Sequence, residues 1–280
     1  MFSIIDDVSN TKARCSFIGF LEKKMVKVNY KKYGIPIAHV WFADKIQKET
    51  AAISMIHRTN NPECSISWHG SFIKMEQYTL ITDLSVSEEE TWNKIHKTTK
   101  KQIKRAEREG IITEYYEGTA LPLSLLNSFE TTYNTMFVSK GKNTRFNRLL
   151  VQEYMKRNAI TFSIAYYQNT PLVFHSYVCD EMHVRAYYSC SPYHVDSELS
   201  KRVGEMNRFL QWKDILYFKE KGIVEYDWGG INDLNQPNDI AKFKMSFGGT
   251  PIKYYNYYVS NTLLGNILLK LFFLKQSQKS

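Results

Sequence analysis

The sequence predicts an α+β fold: a mixed central sheet flanked by helices, with a β-rich N-terminal half-domain ahead of it. Three observations carry that expectation. Short alternating strands recur through the first 84 residues. A three-strand meander at 160–189 is followed by a long helix, a strand and a terminal strand. Between these parts lies a strongly basic helical stretch. The expected division is 1–84 for the half-domain, 85–260 for the helix-flanked core and 261–280 for a C-terminal helix and tail. A chain of 280 residues can bury an ample core as one large domain or two small ones packed together.

Met25 to Tyr30 alternates apolar and polar residues, and Tyr33-Gly34-Ile35-Pro36 reads as a turn before a strand at Ile37 to Phe42. The β-like pattern extends back to Phe17. Ser65 to Lys74 and Gln77 to Asp83 read as further strands. Ser87 with Glu90 has capping-box spacing, which starts a helix expected from Glu88 to Glu109 and terminated by Gly110. Trp92, Ile95, Thr99, Ile103 and Ala106 share one face of it, while Lys94, Lys97, Lys101, Lys104 and Arg108 share another. Leu121 to Val138 and Arg145 to Arg157 read as two more helices. The segment Met136 to Asn147 is either a loop that closes over substrate or a plain connector.

Strands follow at Ile160 to Gln168, Leu172 to Cys179 and His183 to Ser189. A helix is expected from about Glu198 to Lys221, with Met206, Phe209, Leu210, Lys213, Leu216 and Tyr217 along its stripe. Gly222 ends it, ahead of a strand at Ile223 to Trp228 and a last one at Ile252 to Val259. Leu263 to Leu274, with Lys270 and Lys275, is either a packed last helix or an amphipathic helix on an anionic membrane. It is too short to span a bilayer. The tail Gln276 to Ser280 is expected to be disordered.

The net charge is +9, and residues 91–108 hold seven Lys or Arg against the single acid Glu107. Intrahelical pairing cannot neutralise that face. Anionic partners are therefore expected: phosphates of coenzyme A, a nucleotide-linked substrate, tRNA or an acidic membrane surface. A solvated charged face is the plain alternative. The four cysteines, Cys15, Cys64, Cys179 and Cys190, have no metal-ligand spacing, and no metal is expected. Buried free thiols fit a reducing cytoplasm. Met1 to Asn10 has no apolar core run, so no signal peptide is expected. A peripheral place on the inner face of the membrane stays open. The 19 Tyr and 16 Phe fit either strand packing or an aromatic-lined groove.

The densest chemical signal is Tyr226-Asp227-Trp228-Gly229-Gly230-Ile231, followed by Phe243-Lys244-Met245-Ser246-Phe247-Gly248-Gly249. Paired glycines at a strand end allow backbone angles closed to other residues and close approach of a ligand. Asp227 is then a candidate general base or amine-binding carboxylate, or merely the cap of its own turn. Lys244 is a candidate oxyanion or phosphate contact, or a solvated lysine. Trp228, Gly229, Gly230, Phe243 and Phe247 would line the substrate pocket. Tyr187 and Tyr188 sit on a strand expected to edge the cleft, one facing ligand and one facing core, the outward one a candidate general acid. His175 and His183 read as structural. No Gly-x-Ser-x-Gly motif or Cys-His pairing points to a covalent nucleophile.

With the basic helix ending Ile103-Lys104-Arg105-Ala106-Glu107, the order of these motifs over about Tyr78 to Tyr258 resembles the FemAB-like branch of the GNAT acyltransferase superfamily. That branch includes peptidoglycan bridge-forming aminoacyl transferases and related acetyltransferases. The resemblance implies a GNAT-like core in which the central strand splays from its neighbour to hold the acyl group. A helix N-terminus then faces the donor pyrophosphate. In this sequence the corresponding positions are Lys201, Arg202 and Gly204, and the second small residue of the usual phosphate loop is missing. Lys97, Lys101 and Lys104 are further candidate donor contacts. The implied activity is N-acyl transfer from an acyl thioester, on coenzyme A or an acyl carrier protein, to the amine of an amino sugar or envelope precursor. The acceptor could be a small molecule or be linked to a lipid or nucleotide. Two alternatives stand beside it: aminoacyl-tRNA-dependent addition to a cell-wall precursor, and a non-catalytic anion-binding module on the same fold. The sequence does not set the oligomeric state.

Overall fold

Ten strands join into one continuous mixed sheet with helices on both faces. The computed structural model describes residues 25–43, 47–60, 71–192 and 197–277. Cys15, Cys64 and the expected strand segments at 17–24 and 65–70 lie outside the described residues, as do 278–280 of the tail. In chain order the elements are β1 (Val26–Lys32), β2 (Ile35–Trp41), β3 (Ile53–Thr59), β4 (Phe72–Asp83), α1 (Glu88–Lys94), α2 (Lys97–Arg108), β5 (Ile112–Glu117), α3 (Leu123–Ser139), α4 (Arg148–Lys156), β6 (Ile160–Tyr167), β7 (Thr170–Cys179), β8 (His183–Cys190), α5 (Ser197–Glu220), β9 (Glu225–Ile231), α6 (Asp239–Met245), β10 (Thr250–Ser260) and α7 (Leu263–Ser277).

The sheet order is β1-β2-β3-β10-β4-β9-β8-β7-β6-β5. Only the β2/β3 and β8/β9 pairs are parallel among these neighbours. The N-terminal strands are tied to the core through β10, which pairs β3 on one side and β4 on the other. The sheet therefore runs without a gap across position 84. Central strands are buried on both faces: α2 and α5 cover one, with Ile103, Met206, Leu210, Tyr226 and Trp228 in its core. On the other, α3 and α4 enclose Phe129, Tyr154, Phe162 and Phe174. β6 is accordingly buried from Ile160 through Ala165, although Thr161 and Ser163 make its sequence alternate.

The Tyr33-Gly34 loop between β1 and β2 has positive φ at both residues, 52° and 78°, the twist that a two-residue hairpin needs. The helix expected from Glu88 to Glu109 is broken in two. Ile95 is extended (ψ 136°), and His96 caps the second piece by accepting from the Thr98 N–H. The His96 N–H is taken by the Ser246 carbonyl at 2.8 Å. β-Branched Ile95, Thr98 and Thr99 weaken helix at the joint, and docking against α6 sets the break. The strand at 53–59, the strand at 112–117 and helix α6 were not anticipated, and β4 is one strand beginning at Phe72.

Gly248 is where the Phe-Gly-Gly motif meets that joint. Its φ is +83°, and an added Cβ would lie 2.9 Å from the Lys94 Cβ and 3.2 Å from the Lys94 carbonyl oxygen. Gly248→Ala should cost about 2 kcal/mol or more, read as a lower urea midpoint at unchanged slope. Gly110→Ala, at φ +70° with nothing near the added carbon, should cost about 1 kcal/mol.

Candidate functional site

The pairing of β8 with β9 covers only His183–Arg185 against Glu225–Asp227. Beyond it the two parallel strands part at their carboxyl ends, where open sheets place ligands. Each strand carries an irregularity at the parting. On β9 the register against β4 shifts between Ile81↔Asp227 and Thr79↔Gly230, with Gly229 at φ +75°. An alanine Cβ at Gly229 would lie 3.2 Å from the Ala186 carbonyl oxygen, so glycine is required there. On β8 the register against β7 shifts between Ser176↔Tyr188 and Tyr177↔Ala186, which leaves Tyr187 as the extra residue.

Asp227 forms the floor of this wedge and is fully buried. Its Oδ2 accepts from Arg58 Nε and Arg185 Nη1, each at 2.6 Å. Its Oδ1 accepts from the Gly229 N–H at 2.8 Å and lies 2.6 Å from the Thr79 hydroxyl. Burial alone would push this carboxyl up. The Arg185 and Arg58 guanidiniums, with Thr79 and the Gly229 N–H, hold it below the usual carboxylate range. A carboxylate so held is a poor proton acceptor, which removes the expected general-base role. It fixes Arg185 and the Gly229 turn instead.

The two arginines extend the network. Arg58 also donates to Asn60 and, at 2.7 Å, to Glu225. Arg185 Nη2 donates to the Tyr254 hydroxyl at 2.8 Å, which donates to Gln77 at 2.7 Å. Residues of β3, β4, β8 and β9 thus converge on one carboxylate, and β10 joins the network through Tyr254. Arg185 is missing from the sequence reading, though a lone guanidinium in an apolar strand is the signal that points to it. Arg58 was not, because its strand went unread. Beside them, His39 and His57 share a 3.0 Å contact, and His57 stacks on Trp41 at 4.2 Å. Burial pushes His39 down to about 4, so this pair is neutral near pH 7.

Lys244 stands at the mouth, in the last turn of α6. Its Nζ donates to the Gly230 carbonyl at 2.9 Å and lies 3.5 Å from where a Gly229 Cβ would be. Burial, then the nearby Arg185 charge, lower its pKa to about 8. Gly230 is exposed beside it. Trp228 and Phe247 do not line a pocket: both are buried, and their rings pack at 5.0 Å. The Trp228 indole donates to Thr82 at 2.9 Å. Phe243 is half-buried under the Arg208 guanidinium. Tyr187 and Tyr188 do not split between ligand and core. The extra residue puts both rings on the same side, with centroids 4.4 Å apart. Tyr187 packs on Trp41 and Tyr154.

His175 is held by Asp214 and Asn207, and His183 by Asp180. The segment Met136 to Asn147 is anchored by buried Phe146, whose N–H is bonded to Asn134. A cleft of about 640 Å³ lies at the opposite end of these strands, between Glu117, Arg157, Cys179 and Lys221. Its Lys221 is paired with Glu117 at 2.8 Å, and burial raises the Cys179 thiol to about 12. The wedge is the better candidate for chemistry.

Several solved structures share this architecture. FemX superposes with a TM-score of 0.52 at 13% identity over 66% of this chain and 62% of its own, so this chain spans less than two thirds of FemX. The C-terminal domain of a putative lysylphosphatidylglycerol synthetase from Agrobacterium fabrum gives 0.52 at 10% identity over 89% and 88% of the two chains. The chain shares the fold of these two structures. A conserved protein of unknown function from Bacteroides thetaiotaomicron also shares it, at 0.51 and 8% identity. No protein-family model and no curated protein matches the sequence.

On this fold, α5 is the helix whose N-terminus was expected to face the donor pyrophosphate. It begins at Ser197, so Lys201, Arg202 and Gly204 lie in its second turn rather than in a loop before it. Arg202 is held by Glu109 and stacks over Tyr167 at 4.4 Å. The Gly204 carbonyl accepts from Arg208 at 2.9 Å. The expected phosphate loop is not built from these residues. Lys97, Lys101 and Lys104 are exposed on α2. They make no ion pair among the described residues.

Proposed function

We propose that this protein is an acyltransferase that works in the wedge between β8 and β9, passing an acyl group from an activated donor directly to an amine. The observation that carries the reading is the parting of the two strands directly after Arg185 and Asp227, with the Lys244 ammonium at the opening. The neutral amine attacks the donor carbonyl, an oxyanion forms, and the bond to the leaving group breaks as the proton shed by the amine passes to that group. Such transfer needs charge stabilisation and orientation but no enzyme nucleophile. Lys244 is placed to meet the oxyanion. Asp227 acts through others, by locking Arg185 and the Gly229 turn.

The first reading of the donor is an acyl thioester, on coenzyme A or a carrier protein, with an amino sugar or envelope precursor as acceptor. A second reading is favoured by the engagement of Arg202 with Glu109 and the placement of Gly204 inside α5. There the donor is an aminoacyl ester of tRNA, whose phosphates would lie along the free lysines of α2. The name of the lysylphosphatidylglycerol synthetase neighbour describes an aminoacyl product and fits that reading.

Thermal-shift titration with acetyl-CoA, longer acyl-CoAs and aminoacyl-tRNA at two salt concentrations separates the readings. Stabilisation by an acyl-CoA supports the first, and salt-sensitive stabilisation by tRNA alone supports the second. If neither donor binds, acyl transfer gives way to a non-catalytic anion-binding module. Under the second reading, changing Lys97, Lys101 and Lys104 to Glu should weaken tRNA binding and flatten its log–log salt slope by about 2. An unchanged slope would return α2 to a solvated face.

A further inference from the structure

We infer that α7 and the β1–β2 hairpin form a docking face for an anionic lipid surface, with a groove between them that admits an acyl chain. Helix α7 seats on the sheet through one side only. Gly265 is buried against the Ala52 carbonyl, which an added Cβ would strike, and Leu269 is buried beside it. Asn266 ties the same side down by accepting from the Ser71 N–H at 3.0 Å. The opposite side is apolar as well. Leu263, Ile267 and Leu271 follow one another at i, i+4 and i+8 with Leu264 alongside, and all four are exposed, Leu263 by 84%. A helix packed on a soluble core ordinarily presents polar residues outward, and among the described residues nothing covers this row.

A groove of about 350 Å³ runs beside α7 on its packed side. Tyr30, Ile35, Ile37, Met55, Leu268 and Leu269 line it, and Lys32 and Tyr33 stand at its rim. Tyr33, at the hairpin tip, is 92% exposed. A ring with a polar end at the edge of an apolar surface suits the boundary between headgroups and acyl chains. Charge selects the occupant. Residues 25–43 carry Lys27, Lys31 and Lys32 with no Asp or Glu, and residues 251–280 carry four lysines and again no acid. Lys27 is paired with Glu49 and Lys253 with Glu76, while Lys31, Lys32 and Lys270 are exposed, Lys32 at the groove and Lys270 on α7 itself. Apolar side chains with exposed lysines beside them match a membrane of anionic lipid, where insertion and electrostatic attraction add. No described helix is long and apolar enough to cross a membrane, so the contact lies in the interface plane. The inference stands on this face alone and does not depend on the transfer reaction.

Co-sedimentation with vesicles of mixed phosphatidylglycerol and phosphatidylcholine, against phosphatidylcholine alone, tests it. The full chain should bind the anionic vesicles preferentially, and added salt should weaken binding. The double variant Ile267→Glu, Leu271→Glu should lose about tenfold or more in partitioning, because it places charge where apolar groups insert. Both positions are exposed, so its melting temperature should match wild type. The milder Leu263→Ser, Ile267→Ser pair gives the same test should the charged one misfold. No binding by wild type, or equal binding by the variants, overturns the inference. So does a sedimentation-velocity change from dimer to monomer in the variants, which would assign the face to a second copy of the chain.

Discussion

Asp227→Asn should lower the unfolding free energy by about 3–5 kcal/mol, because it strips a buried charge from between two buried guanidiniums. Arg58 and Arg185 both donate to the same Oδ2, and neither has water to turn to. Asparagine offers one acceptor oxygen, and its amide would point two donors at donors. Urea denaturation should show a lower midpoint, and turnover should fall with the displaced Gly229 turn. A double-mutant cycle with Arg185→Met should return a coupling above about 1 kcal/mol. Lost turnover at unchanged stability would instead place Asp227 in the chemistry.

Lys244→Met should behave in the opposite way. Its ammonium is kept partly out of water beside another cation, so replacing it should leave stability unchanged or slightly higher. Catalytic efficiency should fall about 10²–10³-fold if the ammonium meets the oxyanion. The protonated form is the active one in this account. Wild-type rate should therefore decline as pH rises through about 8. Lys244→Arg keeps its charge at every accessible pH and should lose that alkaline limb while retaining part of the rate. A rate that climbs through pH 8 would make Lys244 a base rather than a cation.

Much of this arrangement was legible in the sequence because local rules and tertiary demand agree. The meander at 160–189 and the α5 stripe follow from periodicity, whereas the glycine pair read as a strand end lies inside β9, which runs on to Ile231 with a bulge at Gly229. What stayed hidden required partners distant in the chain. Asp227 looked like an available carboxylate because Arg58, 169 residues away, shows no link to it in the sequence. Tyr187 and Tyr188 were assigned opposite faces by simple alternation, which the extra residue in β8 cancels. The continuous helix through Ile95 failed because α6 competes for the His96 N–H. Trp228 and Phe247 were taken for pocket walls because aromatic residues beside glycines look the same in sequence whether they face ligand or core.

The central claim is that transfer occurs where β8 and β9 part. A donor carrying a photoreactive diazirine in its acyl chain, irradiated with the protein and mapped by mass spectrometry, tests the location directly. The account predicts crosslinks at Ala186 to Tyr188, at Gly229 and Gly230, and at Lys244. Crosslinks confined to the cleft at Glu117, Arg157 and Cys179 would contradict it.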